Sequence, residues 1–422
     1  MRVLLVSPNT ERIKMTSLPL GLSMVATAVC QAGHETVFLD LLSETDAIAA
    51  IRHAVAAFSP QVIGLSVRNI DDQTMLNSRF LLAPVKEVID ICRSLTDAPI
   101  VLGGAGYSMF PDAALSYLGA DLGICGEGEM AFPALLARLQ AGEDLAGLPG
   151  VHIAGHGPQG ARAFAEDLDQ LLLPDASFWA AADPQDPDLW IPVQTRRGCP
   201  LGCSYCSTAS IEGTNVRSRS PQLVAEHIAH MADEGFRQFY FVDNTFNLPP
   251  SYALTLCRAI ADLQRDIVWR CILYPHQVPE ELVAAMGKAG CVEVSLGFES
   301  GHPQVLRELN KRFQPEEVRQ ISERLAAHGI RRMGFLLLGG PGETQESVEE
   351  SLEFAESLNL DVASVSVGIR IYPHTPLAQL AREEGIIDAK DDLLQPRFYI
   401  RPGLETFIRA AIARRHLPVP GR

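Results

Sequence analysis

Along the first 140 residues, short apolar runs alternate with stretches whose apolar positions recur at helical spacing. Residues 2–7, 36–40, 62–67, 100–103 and 122–125 read as strands. Residues 20–32, 46–58, 82–95 and 112–118 read as the helices between them, and 131–140 follows the last strand. Strands that are apolar along their whole length have no face to turn to water, so they predict a doubly wound parallel sheet with helices on both sides. Ligands of such sheets bind beyond the carboxyl ends of the strands. That rule singles out the loops 7–19, 67–73, 103–110 and 125–129.

Residues 141–190 change character, with AGHGPQGAR and ADPQDPD as turn-rich pieces, and read as a linker with a short hairpin around 151–153. From Ile191 the alternation resumes. Strands are predicted at 192–196, 238–242, 268–273, 291–297, 332–338 and 364–371. Between them Val224, Ile228 and Met231, then Val318, Ile321 and Leu325, repeat at helical spacing. Six βα units are too few for a closed eight-fold barrel, so an open partial (βα)6 barrel is expected, active at its strand carboxyl ends. The fold class is therefore α/β. The expected divisions are an N-terminal domain over 1–140, a linker over 141–190, the partial barrel over 191–390 and a C-terminal tail over 391–422.

Composition narrows the function. A length of 422 residues exceeds what one hydrophobic core organises, in agreement with two domains. The net charge of −16 argues against a nucleic-acid partner, which calls for a basic face. MRVLLVSPN stops at Pro8 and suits a buried strand better than a signal peptide, and no apolar run is long enough for a membrane span. The nine cysteines, three of them within eight residues, read as metal ligation in a reducing compartment, which places the protein in the cytoplasm.

Those three stand in RRGCPLGCSYC, a C-x3-C-x2-C run of Cys199, Cys203 and Cys206. Thiolates are the usual protein ligands of iron–sulfur clusters, and four irons normally call for four ligands. Three closely spaced cysteines with no obvious fourth suggest a 4Fe–4S cluster with one open iron, on a loop that directly follows the first barrel strand. The alternatives are a zinc site or three buried thiols. Zinc spacings come as paired C-x2-C or Cys/His sets, and residues 207–219 offer no His. Cys30, Cys92, Cys257, Cys271 and Cys291 fall inside predicted elements and read as small core residues, whereas Cys125 ends a strand and is the more exposed candidate.

The cysteine spacing resembles the radical S-adenosylmethionine (SAM) superfamily, and the likeness covers roughly residues 190–390. It implies that the amino and carboxylate groups of SAM chelate the open iron and that an electron from the cluster cleaves SAM to a 5′-deoxyadenosyl radical. Tyr205 matches the aromatic residue that precedes the third cysteine. By the same resemblance, Asp243, Asn244 and Thr245 end the second strand, where the SAM ammonium is held. Glu299 or Ser300, ending the fourth strand in LGFES, would meet the ribose. Gly339 and Gly340 in LLLGGPGET would let backbone approach the adenosyl group, and Arg370 ends the sixth strand beside Tyr372.

PLGLSMVATAVCQAGHETVFLD, VIGLSV and VLGGAGYSMFPDAALSYLGADLGICGEGE resemble the Rossmann-like cobalamin-binding domain that precedes the barrel in one large radical SAM class. The resemblance implies that Gly103, Gly104, Gly126 and Gly128 keep a slot open for the cobalamin tail, with Glu127 in the same loop. The Asp-x-His-x-x-Gly signature that donates a histidine to cobalt is absent. Arg68-Asn69-Ile70-Asp71-Asp72 stands in its approximate place, where Arg68 either lies beneath the corrin or forms a salt bridge to Asp71 or Asp72.

The leading function implied is cobalamin-dependent radical methylation of a small-molecule or lipid-like substrate, with an electron donor such as flavodoxin or ferredoxin. Cofactors carry such chemistry and the protein positions them. The alternatives are a radical SAM enzyme with another outcome (ring formation, rearrangement or aminocarboxypropyl transfer from SAM) and a vestigial or non-methylating cobalamin domain, or a non-catalytic cobalamin or cluster sensor. The strand-end SAM constellation argues against the sensor.

Overall fold

The computed structural model describes residues 1–11, 18–179 and 182–415. The expected loop 7–19 thus lies partly outside the described residues, as does 416–422 of the expected tail. Residues fall into two compact units: Met1–Asp72, Arg79–Trp190 and Ser210–Gly213 in one, and Gln73–Ser78, Ile191–Ala209 and Thr214–Arg422 in the other.

The first unit is built on β1 (Arg2–Ser7), β2 (Glu35–Asp40), β3 (Val62–Ser66), β4 (Ile100–Gly103), β5 (Leu122–Ile124), β6 (Val151–Ile153) and β7 (Gly157–Pro158), in the order β2-β1-β3-β4-β5-β6-β7. The first five are parallel, as their apolar runs require: Val3, Leu4, Leu5 and Val6 are all buried. Val3 and Leu5 pack with Val29, Phe132, Leu135 and Leu136 in one core cluster. The helix expected at 131–140 starts earlier, at Gly128, and runs to Ala141. Two differences follow from tertiary contacts. A second short helix, Ala105–Met109, precedes Pro111–Leu118. The hairpin expected within the linker joins the sheet, with β6 antiparallel to β5 and β7 antiparallel to β6.

The second unit holds β8 (Ile191–Val193), β11 (Gln238–Phe241), β12 (Val268–Leu273), β13 (Cys291–Glu299), β14 (Arg331–Leu338) and β15 (Val362–Val367), all parallel and in sequential order. That is the partial (βα)6 arrangement. Along β12, Trp269, Cys271 and Leu273 are buried while Val268, Arg270 and Ile272 stay half-buried, so only one face is fully covered. Short pairs supplement the sheet: β9 (Arg196–Arg197) with β10 (Arg217–Ser218), and β16 (Ile369–Arg370) with β17 (Phe398–Tyr399). The strand expected at 364–371 is therefore interrupted at Gly368, whose φ of +74° turns the chain. The stretch after Asp391 is more ordered than its composition suggests. Beyond β17 the helix Glu405–Arg415 is tied down by Arg414 and Arg415, each 2.6 Å from Glu349.

Cys92, Cys257, Cys271 and Cys291 are core residues. Two expectations about thiols are reversed. Cys30 is exposed, because it faces outward in the last turn of Leu20–Gln31. Cys125 is buried, with its thiol donating to the Ser108 carbonyl at 3.5 Å.

Candidate active site

β8 stops after three residues and the chain leaves the sheet at its carboxyl end. β9 and β10 then pair as a neck, and between them runs the loop that carries Cys199, Cys203 and Cys206. Gly198 sits in this neck at φ +90°, and a Cβ there would run into the Asn215 carbonyl, so only glycine fits. All three cysteines are half-buried and none is in a disulfide. The Cys206 thiol donates to Thr208 Oγ1 at 3.2 Å, and the Cys206 N–H donates to the Cys203 carbonyl at 3.2 Å.

A segment absent from the sequence-based site holds this loop from the other side. The Ser204 N–H donates to the Leu309 carbonyl at 3.1 Å, Asn310 Nδ2 donates to the Gly202 carbonyl at 2.6 Å, and Arg312 donates to the Pro200 carbonyl at 3.1 Å. Between them Lys311 points inward, its side chain 5% exposed, and its ammonium lies 3.1 Å from Glu299 Oε1. The same oxygen accepts from the Tyr205 hydroxyl at 2.8 Å. Burial alone would lower the Lys311 pKa, but Glu299, Tyr205 and Cys203 together hold it well above the ordinary lysine value. Burial pushes the Cys203 thiol up, and Lys311 opposes that push. The only hint in the sequence is the polar run NKR soon after LGFES.

The Asp243-Asn244-Thr245 triplet divides its labour differently from expectation. The fully buried Asp243 carboxylate accepts from the Thr195 N–H at 2.8 Å, the Thr195 hydroxyl at 2.6 Å and the Arg196 N–H at 3.1 Å. It is a strut that fixes how the chain leaves β8, and its oxygens are committed to the protein. Thr245 is likewise internal, its hydroxyl donating to Asn247 at 2.9 Å and accepting from the Tyr274 N–H at 3.2 Å. Asn244 is the exposed member, and its Oδ1 accepts from Thr208 at 3.3 Å.

Glu299 occupies an irregularity in the pairing of β13 with β14 and has φ +64°, which aims its carboxylate at Tyr205 and Lys311. Ser300, the other candidate for the ribose, is buried and 2.8 Å from the Ser351 hydroxyl, so it is a packing contact. Gly339 and Gly340 donate their backbone N–H groups to one oxygen of Glu343. The other oxygen of Glu343 is buried without a partner, and burial raises this carboxyl to about 7 despite the two amides. Arg370 is buried and donates to the carbonyls of Ile371 at 2.6 Å and Leu393 at 2.9 Å, which ties β16 to the following segment and commits much of its guanidinium.

In the first unit, Gly103 ends β4 with no atom within 4 Å of where a Cβ would stand. Gly104, Gly126 and Gly128 instead admit the chain itself: a Cβ would meet the Val67 carbonyl, the Arg162 side chain and Val25 respectively. Glu127 is buried and accepts from the Ala165 N–H at 2.7 Å. These four positions thus shape the loops, and Gly103 alone of the set borders open space. Arg68 and Asn69 are exposed at the carboxyl end of β3, and Asp72 pairs with Arg79 at 3.4 Å.

The donor set fits the group that the motif implies. Three half-buried thiols on a glycine-shaped loop at the sheet's carboxyl end, beside a buried cation, suit an anionic thiolate cluster. Space beside Gly103 at a strand end suits a ligand in the crevice of the doubly wound sheet.

Comparison with known families agrees: residues 193–355 match the Radical SAM superfamily and residues 7–136 the B12 binding domain. This chain is a B12-binding radical SAM enzyme. Its cofactors are accordingly a 4Fe–4S cluster, SAM and cobalamin. It is 27% identical over 394 residues to an uncharacterized methyltransferase of Pyrococcus horikoshii, covering 90% of this chain and 83% of the relative. It is 24% identical over 449 residues to the tryptophan 2-C-methyltransferase of Streptomyces laurentii, covering 90% and 74%. In fold it resembles the radical SAM methyltransferase TsrM of Kitasatospora setae, with TM-score 0.87, 23% identity and 99% and 90% of the two chains covered. No described helix is long and apolar enough to cross a membrane.

Proposed function

We propose that this enzyme is a cobalamin-dependent methyltransferase acting on a small-molecule or lipid-like substrate. The observation that carries the reading is the presence in one chain of a B12-binding domain and a cysteine loop at the carboxyl end of a radical SAM sheet. Similarity to proteins named methyltransferases over nine-tenths of the chain supports it. When bound, the cluster supplies an electron, SAM a methyl group and an adenosyl radical, and cobalamin a carrier for the methyl.

The chain's own residues then bind and orient. Cys199, Cys203 and Cys206 each provide one thiolate and leave one iron for SAM. Asn244 is the exposed polar strand-end group best placed to contact SAM, and Glu299 has only the oxygen not taken by Tyr205 and Lys311 to offer, because Asp243, Thr245 and Ser300 are spent internally. The Glu343 carboxylate holds the Gly339–Gly340 turn in the shape that lets backbone approach the adenosyl group. Residues 1–140 carry the cobalamin part and residues 191–390 the SAM part, and a flavodoxin or ferredoxin delivers the electron.

The test is product analysis of anaerobically purified, cobalamin-loaded protein given SAM, a low-potential reductant and a small-molecule extract as substrate pool. Methylation predicts 5′-deoxyadenosine and S-adenosylhomocysteine in near-equal amounts. Sole formation of 5′-deoxyadenosine indicates ring formation or rearrangement instead. Methylthioadenosine as the main product, with cobalamin dispensable, overturns the reading.

A further inference from the structure

The two faces of β14 meet different surroundings. Leu336 and Leu338 are buried, and a Cβ on Gly334 would run into Leu360 and Phe298, so this side packs beneath the helices. Phe335 points the other way and is 37% exposed. A large aromatic ring left this open in the middle of a strand forgoes much of the burial that favours it. Its partners in register explain the opening: Gly297 on β13 has no side chain and Ser364 on β15 has a small one. The same face leads to the cysteine loop. A Cβ on Gly297 would stand 3.2 Å from Glu299 Oε1, the oxygen that accepts from Tyr205.

Toward the amino ends of the strands this face closes in charge. Arg270 lies 3.7 Å from Glu293 and 5.0 Å from the centre of the Tyr240 ring, and Arg331 is 3.6 Å from the other Glu293 oxygen. Between this ionic floor and Glu299 stand Ile272 and Met333, both half-buried, and then Phe335. Glu293 and Glu299 lie on one strand at a spacing of about 20 Å, from which their own side chains subtract. That depth takes one ring system. A long alkyl chain laid along the strands would end on the paired charges and strip them of water, which is costly.

We propose that Phe335 is a specificity-determining residue that stacks on the methyl-accepting molecule, and that this molecule is a small, flat, unsaturated ring compound and not an alkyl lipid. The inference rests on the methyltransferase reading above. Two flat rings packed offset or edge to face gain attraction beyond the area they bury, and an alkyl chain does not reproduce it. Ser364, beside Phe335 in register, offers a hydroxyl to a small polar substituent on the ring.

The experiment is equilibrium dialysis of the reconstituted, cobalamin-loaded full-length protein against indole and against 1-octanol, without SAM, so that no turnover intervenes. The wild type is expected to bind one indole per chain in preference to octanol. Phe335→Leu keeps an apolar side chain and removes the flat face, so it should weaken indole binding about fivefold and leave octanol binding unchanged. Phe335→Tyr should hold indole as the wild type does. If Phe335→Leu does not retain iron, Ser364→Leu, which puts bulk beside the ring, decides: weaker indole binding supports the proposal and unchanged binding overturns it. Octanol bound as tightly as indole, no saturable indole binding, or an iron-replete Phe335→Leu protein that holds indole like the wild type also overturns it. The methylation reading fails separately, on absence of S-adenosylhomocysteine from the product assay.

Discussion

The Asp243 carboxylate takes both the hydroxyl and the backbone N–H of Thr195, at 2.6 Å and 2.8 Å, across the gap between the ends of β11 and β8. Arg196, 3.8 Å away, supplies the compensating charge and donates onward to the Phe246 and Leu248 carbonyls. Removing one partner of such a buried set leaves a charge and several donors unpaired, which costs about 3–5 kcal/mol. Asp243→Ala is accordingly expected to lose about that much stability in urea unfolding. It should also retain less iron, because Thr195 and Arg196 set the start of the cysteine loop. Normal stability in this variant would contradict the strut.

The cysteines separate into two groups by function. Cys199→Ala, Cys203→Ala or Cys206→Ala should each abolish cluster absorbance and SAM cleavage after reconstitution. Cys257→Ala removes a core thiol, and its expected effect is lower stability with full iron content. Iron analysis with visible absorbance distinguishes them. A Cys203→Ala protein with about four irons that still cleaves SAM would remove Cys203 from the ligand set.

Glu343 makes stability depend on pH in a stated direction. Its folded-state value of about 7 lies above the ordinary 4.5, so the folded protein binds this proton more tightly than the unfolded chain. The stabilisation from the protonated form is complete below about pH 4.5 and is lost as pH rises to about 7. Across that window it amounts to about 3 kcal/mol. Glu343→Gln should flatten this component of the stability curve, as read from urea midpoints between pH 5 and 8. An identical slope in the two proteins would mean that the carboxyl is ionised throughout.

For cobalt, the exposed Arg68 and Asn69 stand where the histidine signature is missing. The Co(II) form of the bound cobalamin is expected to show no splitting from a protein nitrogen in electron paramagnetic resonance. His152, an imidazole of the first unit, is engaged 3.0 Å from Asp112. Observation of nitrogen splitting would reject the assignment.

Local pattern was enough to read the sheets and the cysteine loop. Val3–Val6 and Leu122–Ile124 are apolar throughout, and the three thiols lie within one turn-rich loop, so each signal is contained in a few residues. The site's internal supports were not legible, because their partners are far apart in sequence. Thr195 and Asp243 are 48 residues apart, and Tyr205 meets Glu299 across 94. A polar residue at a strand end looks the same in sequence whether it faces a ligand or a backbone amide, and Asp243, Ser300 and Arg370 show the difference only through their partners in the fold. Lys311 is hidden for the complementary reason: a lysine in a polar run resembles any solvated surface residue until burial is known.

The hairpin of β6 and β7 also determines how the first unit can be handled in isolation. It pairs along β5 and ends the sheet in a two-residue strand containing Pro158, which has no N–H to offer a neighbour. A fragment that stops at residue 140, where the helical pattern ends, would bare the backbone of β5 as an unprotected edge. Such an edge is a template for pairing between molecules. Soluble expression of the B12-binding part by itself therefore calls for a cut beyond residue 160, with the proline-bearing strand retained as its guard.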